Sequence, residues 1–74
     1  MRHLVRQGKL RAVITTARLS AKLSQRDLSA KLKRSPSYIS KIEAGEIELG
    51  VFGFIELCDA LSLDPAEVVK LLKD

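Results

Sequence analysis

Two serines that read as helix starts, Ser24 and Ser35, leave room between them for one short helix and a turn of two residues, Lys33 and Arg34. Asp27, three residues after Ser24, completes a capping-box-like pair and lies in the positive field of a helix's first turn. Leu28 and Leu32 supply an apolar pair one turn apart, and that helix ends near Leu32. The next opens at Ser35 as N-cap with Pro36 at the first helical position, where a missing N–H does no harm. Its Ile39 and Ile42 face inward, and Gly45 closes it. A two-residue turn forces two such helices to cross steeply. Leu28 and Leu32 then meet Ile39 and Ile42, with Ser29 small at the closest approach.

The rest of the chain continues in helices. Leu10, Val13, Ile14, Ala17 and Ala21 make one apolar stripe on a first helix, from about residues 7–9 to Lys22. Residues 1–8 form either a loose basic arm or an extension of that helix, and residues 9–74 form the domain. After a loop of Glu46, Ile47, Glu48 and Leu49, a fourth helix covers residues 51–61, with Phe54, Ile55, Cys58 and Leu61 on one face. Gly50 and Gly53 weaken its first turn. A fifth opens at Asp64, with Pro65 at its first position and Glu67 boxing the cap. No strand pattern stands anywhere, so the expectation is a compact all-α domain of five helices.

A chain of 74 residues holds one domain, and 46% hydrophobic content suits a folded core. No apolar run reaches membrane-spanning length, and Arg2 and Arg6 precede nothing that reads as a signal peptide. The lone Cys58 excludes an internal disulfide and reads as a small core residue, which suits the cytoplasm. Charge is split along the chain. Residues 1–41 hold 11 basic residues against Asp27, a net of +10, while residues 42–69 hold seven acidic residues and no basic one. One basic and one acidic face follow, and the first suits a polyanion.

The outer face of the third helix carries Ser37, Ser40 and Lys41, with Pro36 and Tyr38 near its start. Short polar groups flanked by basic residues on an exposed second helix suit the major groove of double-stranded DNA. The stretch LSQRDLSAKLKRSPSYISKIEAGE, residues 23–46, resembles the Cro/phage-repressor type of helix-turn-helix, the XRE family. The likeness rests most on Leu23-Ser24-Gln25, Leu28, Leu32, Tyr38-Ile39-Ser40, Ile42-Glu43 and Gly45-Glu46, and FIELCDALSLDPAEV, residues 54–68, extends it. It implies a lambda-repressor-like fold in which helices two and three form the helix-turn-helix.

The resemblance also implies roles. Gln25 contacts a DNA phosphate and buttresses the third helix. Pro36, Ser37, Ser40 and Lys41 face bases, and Tyr38 reaches the backbone or packs on Arg34 or Leu32. Ser35 caps the helix beside the DNA, and Arg18 pairs with Glu43 in a structural salt bridge. Three departures stand out. Lys33 replaces the family's turn glycine, so the chain either takes a positive φ there or turns differently. Arg34 replaces an apolar residue, and the loop after the third helix is acidic where relatives clamp the backbone with basic residues. Lys33 and Arg34 add charge beside the phosphates.

Ile47, Val51, Phe52, Leu57, Val69 and Leu72 exceed what so small a core hides. They suggest a homodimer through the last two helices, with Val51, Phe52, Val69 and Leu72 at its interface. Recognition helices about 34 Å apart would then read a pseudo-palindromic operator. The expected function is sequence-specific transcriptional regulation, as a repressor. The alternative is a protein-binding module, an antitoxin or adaptor, favoured by the acidic loop. Nothing arranges a nucleophile with a base, His3 has no second metal ligand nearby in sequence, and no cofactor or membrane partner is implied.

Overall fold

The computed structural model describes the backbone of residues 2–73 and the side chains of residues 7–73; the side chains of Arg2, His3 and Arg6 lie outside them. Five helices follow in order: α1 (Arg2–Ser20), α2 (Gln25–Lys31), α3 (Tyr38–Glu43), α4 (Val51–Ala60) and α5 (Pro65–Leu72). No strand occurs among the described residues. α2 packs on α3, and α1 lies against both α3 and α5, which also meets α4. Ile14, Leu28, Ile39, Ile42, Leu57 and Leu61 form the core where these helices converge. Leu10, Leu23, Leu32, Tyr38, Leu49 and Leu63 pack around it.

Four helices stop in the same way. After α1, α2, α3 and α4 the backbone turns left-handed at Lys22 (φ 60°), Lys33 (58°), Gly45 (78°) and Ser62 (57°). Each time the residue beyond the turn donates back to a carbonyl five residues earlier: Leu23 to Arg18, Arg34 to Ser29, Glu46 to Lys41, and Leu63 to Cys58. These are Schellman closures, which satisfy the last carbonyls of a helix. Only one uses glycine, so the first helix ends at Ser20 and Lys22 lies beyond it.

The helix starts divide between local and borrowed caps. At α2 the box forms as the spacing requires: Asp27 N–H donates to Ser24 Oγ at 2.9 Å and Ser24 N–H to Asp27 Oδ2 at 3.0 Å. Those bonds, backbone first, hold the Asp27 carboxyl below the usual carboxylate range. At α5, Asp64 Oδ1 accepts from Ala66 N–H, but Glu67 does not close a box; its carboxylate lies 3.4 Å from Lys70.

α3 departs from expectation. It begins at Tyr38, not at Pro36. Tyr38 N–H donates to the Ser35 carbonyl at 3.0 Å, and Ser37 sits at φ −95°, ψ 3°. That is a type I turn with Pro36 at its second position, a place the fixed proline φ suits as well as a helix start. Neither Ser35 nor Ser37 caps α3 with its side chain. The cap comes instead from α2: the Ile39 N–H donates to Ser29 Oγ at 3.1 Å, while Ser29 Oγ donates to the Gln25 carbonyl at 2.9 Å. Ser29 is fully buried, so its hydroxyl both fits the close approach and fastens the two helices. Ser29→Ala leaves a buried N–H unpaired and is expected to cost about 1–3 kcal/mol in urea unfolding; a change under about 0.5 kcal/mol, the scatter of ordinary surface substitutions, contradicts this cap.

α4 is rotated from its expected face. Leu57 and Cys58 are buried and Leu57 belongs to the core rather than to an exposed patch, whereas Ile55 is exposed. Apolar residues surround the first turns of α4, so sequence periodicity alone cannot choose its face. Contact with Tyr38 and Leu49 chooses it: a Cβ on Gly53 would lie 3.1 Å from Leu49 Cδ1 and 3.5 Å from Tyr38 Oη. Ala21 of the expected stripe is exposed, and Arg18 is buried. No described helix is long and apolar enough to cross a membrane.

Candidate nucleic-acid interface

The α2–α3 unit is held rigidly from behind. Arg18 on α1 donates through Nε to Glu43 Oε2 at 2.8 Å and through Nη2 to Oε1 at 3.2 Å, and its Nη1 holds the Leu23 carbonyl at 2.9 Å. Gln25 at the start of α2 donates through Nε2 to Glu43 Oε1 at 2.9 Å. One carboxylate therefore ties the end of α3 to α1 and to the start of α2. Burial pushes the Glu43 carboxyl upward, but hydrogen bonds from Arg18 and Gln25, the Arg18 charge and a Thr15 hydrogen bond outweigh it and hold it below the usual range. No buried side-chain nitrogen or oxygen among the described residues lacks a partner.

The turn and the outer positions of α3 form an exposed surface. Lys33, Arg34, Ser35, Pro36, Ser37 and Lys41 are exposed and nearly consecutive along the turn and α3. Ser40 is half-buried, and its hydroxyl donates to the Ser37 carbonyl at 2.9 Å, leaving oxygen lone pairs free to accept. Tyr38 is half-buried too, with the Arg34 guanidinium stacked 5.1 Å from its ring centre. Of the two placements the sequence allows Tyr38, packing on Arg34 is present. Gln25 is half-buried with one amide N–H given to Glu43 and a second N–H left for another acceptor. The acidic loop of Glu46, Ile47 and Glu48 follows α3 and is exposed.

A helix-turn-helix family model matches residues 14–68, which takes in all of α2, α3 and α4. A solved structure, "XRE-family like protein from Pseudomonas syringae pv. tomato str. DC3000", superimposes with a TM-score of 0.88 at 33% identity, covering 95% of this chain and 85% of that one. The chain belongs to the XRE-type helix-turn-helix family. No curated protein matches it. It is a family of DNA-binding regulators, and in this XRE-type domain α2 and α3 are the helix-turn-helix pair.

The XRE-type domain keeps its turn without the usual glycine: Lys33 adopts the left-handed conformation outright. Such a conformation costs an L-residue about 1–2 kcal/mol. A glycine relieves that cost but adds about 0.5–1 kcal/mol of unfolded-state entropy. Lys33→Gly is therefore expected to raise stability by about 0–1.5 kcal/mol, or up to about 6–12 °C in Tm. The same change removes an exposed cation and should lower affinity for every duplex alike. A Lys33→Gly protein less stable than its parent contradicts the strain.

Four residues near the interface escape sequence reading. Ser29 caps α3 from α2, as described above. Lys31 Nζ donates to the Ala60 carbonyl at 2.8 Å, closing the end of α4. Glu56 of α4 reaches Arg34 at 3.4 Å. Arg11 of α1 lies over Gly45, its Nη1 3.4 Å from where a Cβ would stand. Each contact joins residues far apart in the chain, and no local pattern announces it.

Proposed function

We propose that this domain is a sequence-specific transcriptional regulator that represses by occupying an operator. The observation that carries it is the exposed cationic and polar strip from Lys33 to Ser37 with Lys41, mounted on an α2–α3 unit whose rear polar groups are all bonded. Lys33 and Arg34 neutralise phosphates, the spare Gln25 amide N–H takes another, and Pro36, Ser37, Ser40 and Lys41 face base edges. Ser35 stands at the junction of turn and helix, beside the phosphates.

Val51 and Phe52 are 72% and 82% exposed, and Val69 and Leu71 are also open. This apolar surface supports a homodimer through α4 and α5. Leu72, also expected at that interface, is half-buried and offers less surface than Val69. Two α3 helices about 34 Å apart would then engage a pseudo-palindrome. Sedimentation showing monomer alone at high micromolar concentration removes the dimer.

The exposed acidic loop of Glu46 and Glu48, together with this apolar surface, favours a second reading, in which the domain masks or bridges a protein partner as an antitoxin or adaptor. A salt titration with nonspecific duplex separates the two. DNA binding predicts log K falling linearly with log salt, with a slope of about −0.9 for each phosphate neutralised. A chain that ignores duplex at low salt leaves the protein-binding reading.

A further inference from the structure

Arg34 belongs to the strip proposed to meet phosphates, yet in the free protein it is engaged twice. Its guanidinium stacks on Tyr38, the first residue of α3, and its Nη2 lies 3.4 Å from Glu56 Oε1. Glu56 comes from α4, outside the helix-turn-helix pair. It lines a shallow groove with Lys31, Leu32, Lys33, Asp59 and Ala60, so two carboxylates stand directly beside the cations of the turn. The Arg34 and Glu56 side chains remain about half exposed, at 47% and 54%. An ion pair so open is weak and readily exchanged. A carboxylate and a phosphate each offer a guanidinium a pair of anionic acceptor oxygens, so either can take the place of the other.

We infer that Glu56 is an intramolecular competitor for the DNA backbone: it occupies Arg34 in the unbound protein and lowers affinity for any duplex that must displace it. The inference rests on the DNA-binding reading above. Tyr38 keeps the guanidinium beside α3 while the partner changes, so the exchange requires only a small movement of the side-chain end. After the exchange the Glu56 charge stays close to the phosphates and cancels part of what Arg34 supplies. The duplex then releases fewer counterions than the basic residues of the strip would suggest.

The test measures binding of a nonspecific duplex across a salt series by five chains: the parent, Glu56→Gln, Asp59→Asn, Arg34→Met and Arg34→Met/Glu56→Gln, the fourth being the reference for the last. Glu56→Gln is expected to bind about two- to fivefold more tightly at low salt, the range of an exposed ion pair. Its log–log slope should steepen by up to about 0.9. Asp59→Asn, which removes the same charge from the same groove, should gain less. With Arg34 already replaced, Glu56→Gln should gain no more than Asp59→Asn gains in the parent, the share owed to charge alone. Unchanged affinity in Glu56→Gln overturns the inference while leaving DNA binding intact. So does an equal gain in Asp59→Asn, or a full gain without Arg34, because either makes the effect one of bulk charge. A parent chain with no salt-dependent binding overturns the DNA reading and this inference together.

Discussion

Replacing Glu43 by alanine is expected to destabilise the domain by about 3–5 kcal/mol, because it strands a buried guanidinium. Arg18 would keep its bond to the Leu23 carbonyl and lose both contacts to carboxylate, and Gln25 would lose its tie to α3. At about 4–8 °C per kcal/mol for a domain of this size, Tm should fall by roughly 12–40 °C. The double change Arg18→Met/Glu43→Leu should be milder, since removing both charges leaves no buried charge unpaired and only the Leu23 carbonyl and the Gln25 amide lose a partner. A single variant no worse than the double contradicts this. The pH dependence has a definite sign. Glu43 is held below the usual carboxylate range on folding. Its contribution is therefore full above the unfolded pKa and lost as pH falls through the lower folded one. Glu43→Gln should lack that acid-side loss, with the exposed Asp27 box still contributing its own share in the same direction.

Lys41→Ala is expected to weaken binding to the preferred operator by about 1–3 kcal/mol, roughly 5- to 160-fold, and to relax preference at the base pair it is proposed to contact. Lys41 is exposed, and no described side chain is hydrogen-bonded to or paired with it, so its loss should leave stability nearly unchanged. Binding assays on the preferred site and on single-base variants distinguish the outcomes. A uniform loss across all sequences makes Lys41 a phosphate contact. No loss at all removes α3's outer face from the recognition account. Replacing Lys33, by contrast, should weaken all sequences alike, because the proposed binding mode sets the turn beside the DNA backbone rather than over bases.

Much of the fold is legible because its signals are local. The Ser24–Asp27 box, Asp64 before Pro65, and Gly45 at the end of α3 all depend on neighbours within one turn, whereas the left-handed Lys22 and Ser62 carry no such signal. The start of α3 was less legible because proline at the second position of a type I turn and proline at a helix start share one φ. What decides is the Ile39 N–H finding Ser29 on another helix. The face of α4 was illegible for a related reason, since its first turns are apolar all round and tertiary contact with Tyr38 and Leu49 orients it. Arg18 and Glu43 are 25 residues apart and became a candidate pair only through family likeness. The exposed strip from Lys33 to Ser37 and at Lys41 was legible because charge and short polar residues cluster there; the Glu56 contact to Arg34 was not, because it comes from α4.

The central claim is that α3 reads DNA sequence from a strip primed by Lys33 and Arg34. Selection of bound duplexes from a random library tests it most directly. The account predicts enrichment of one motif, repeated in inverted orientation with half-site centres about one helical turn apart, roughly 10 base pairs. Recovery of duplexes with no enriched motif, at an affinity set by salt alone, would contradict it.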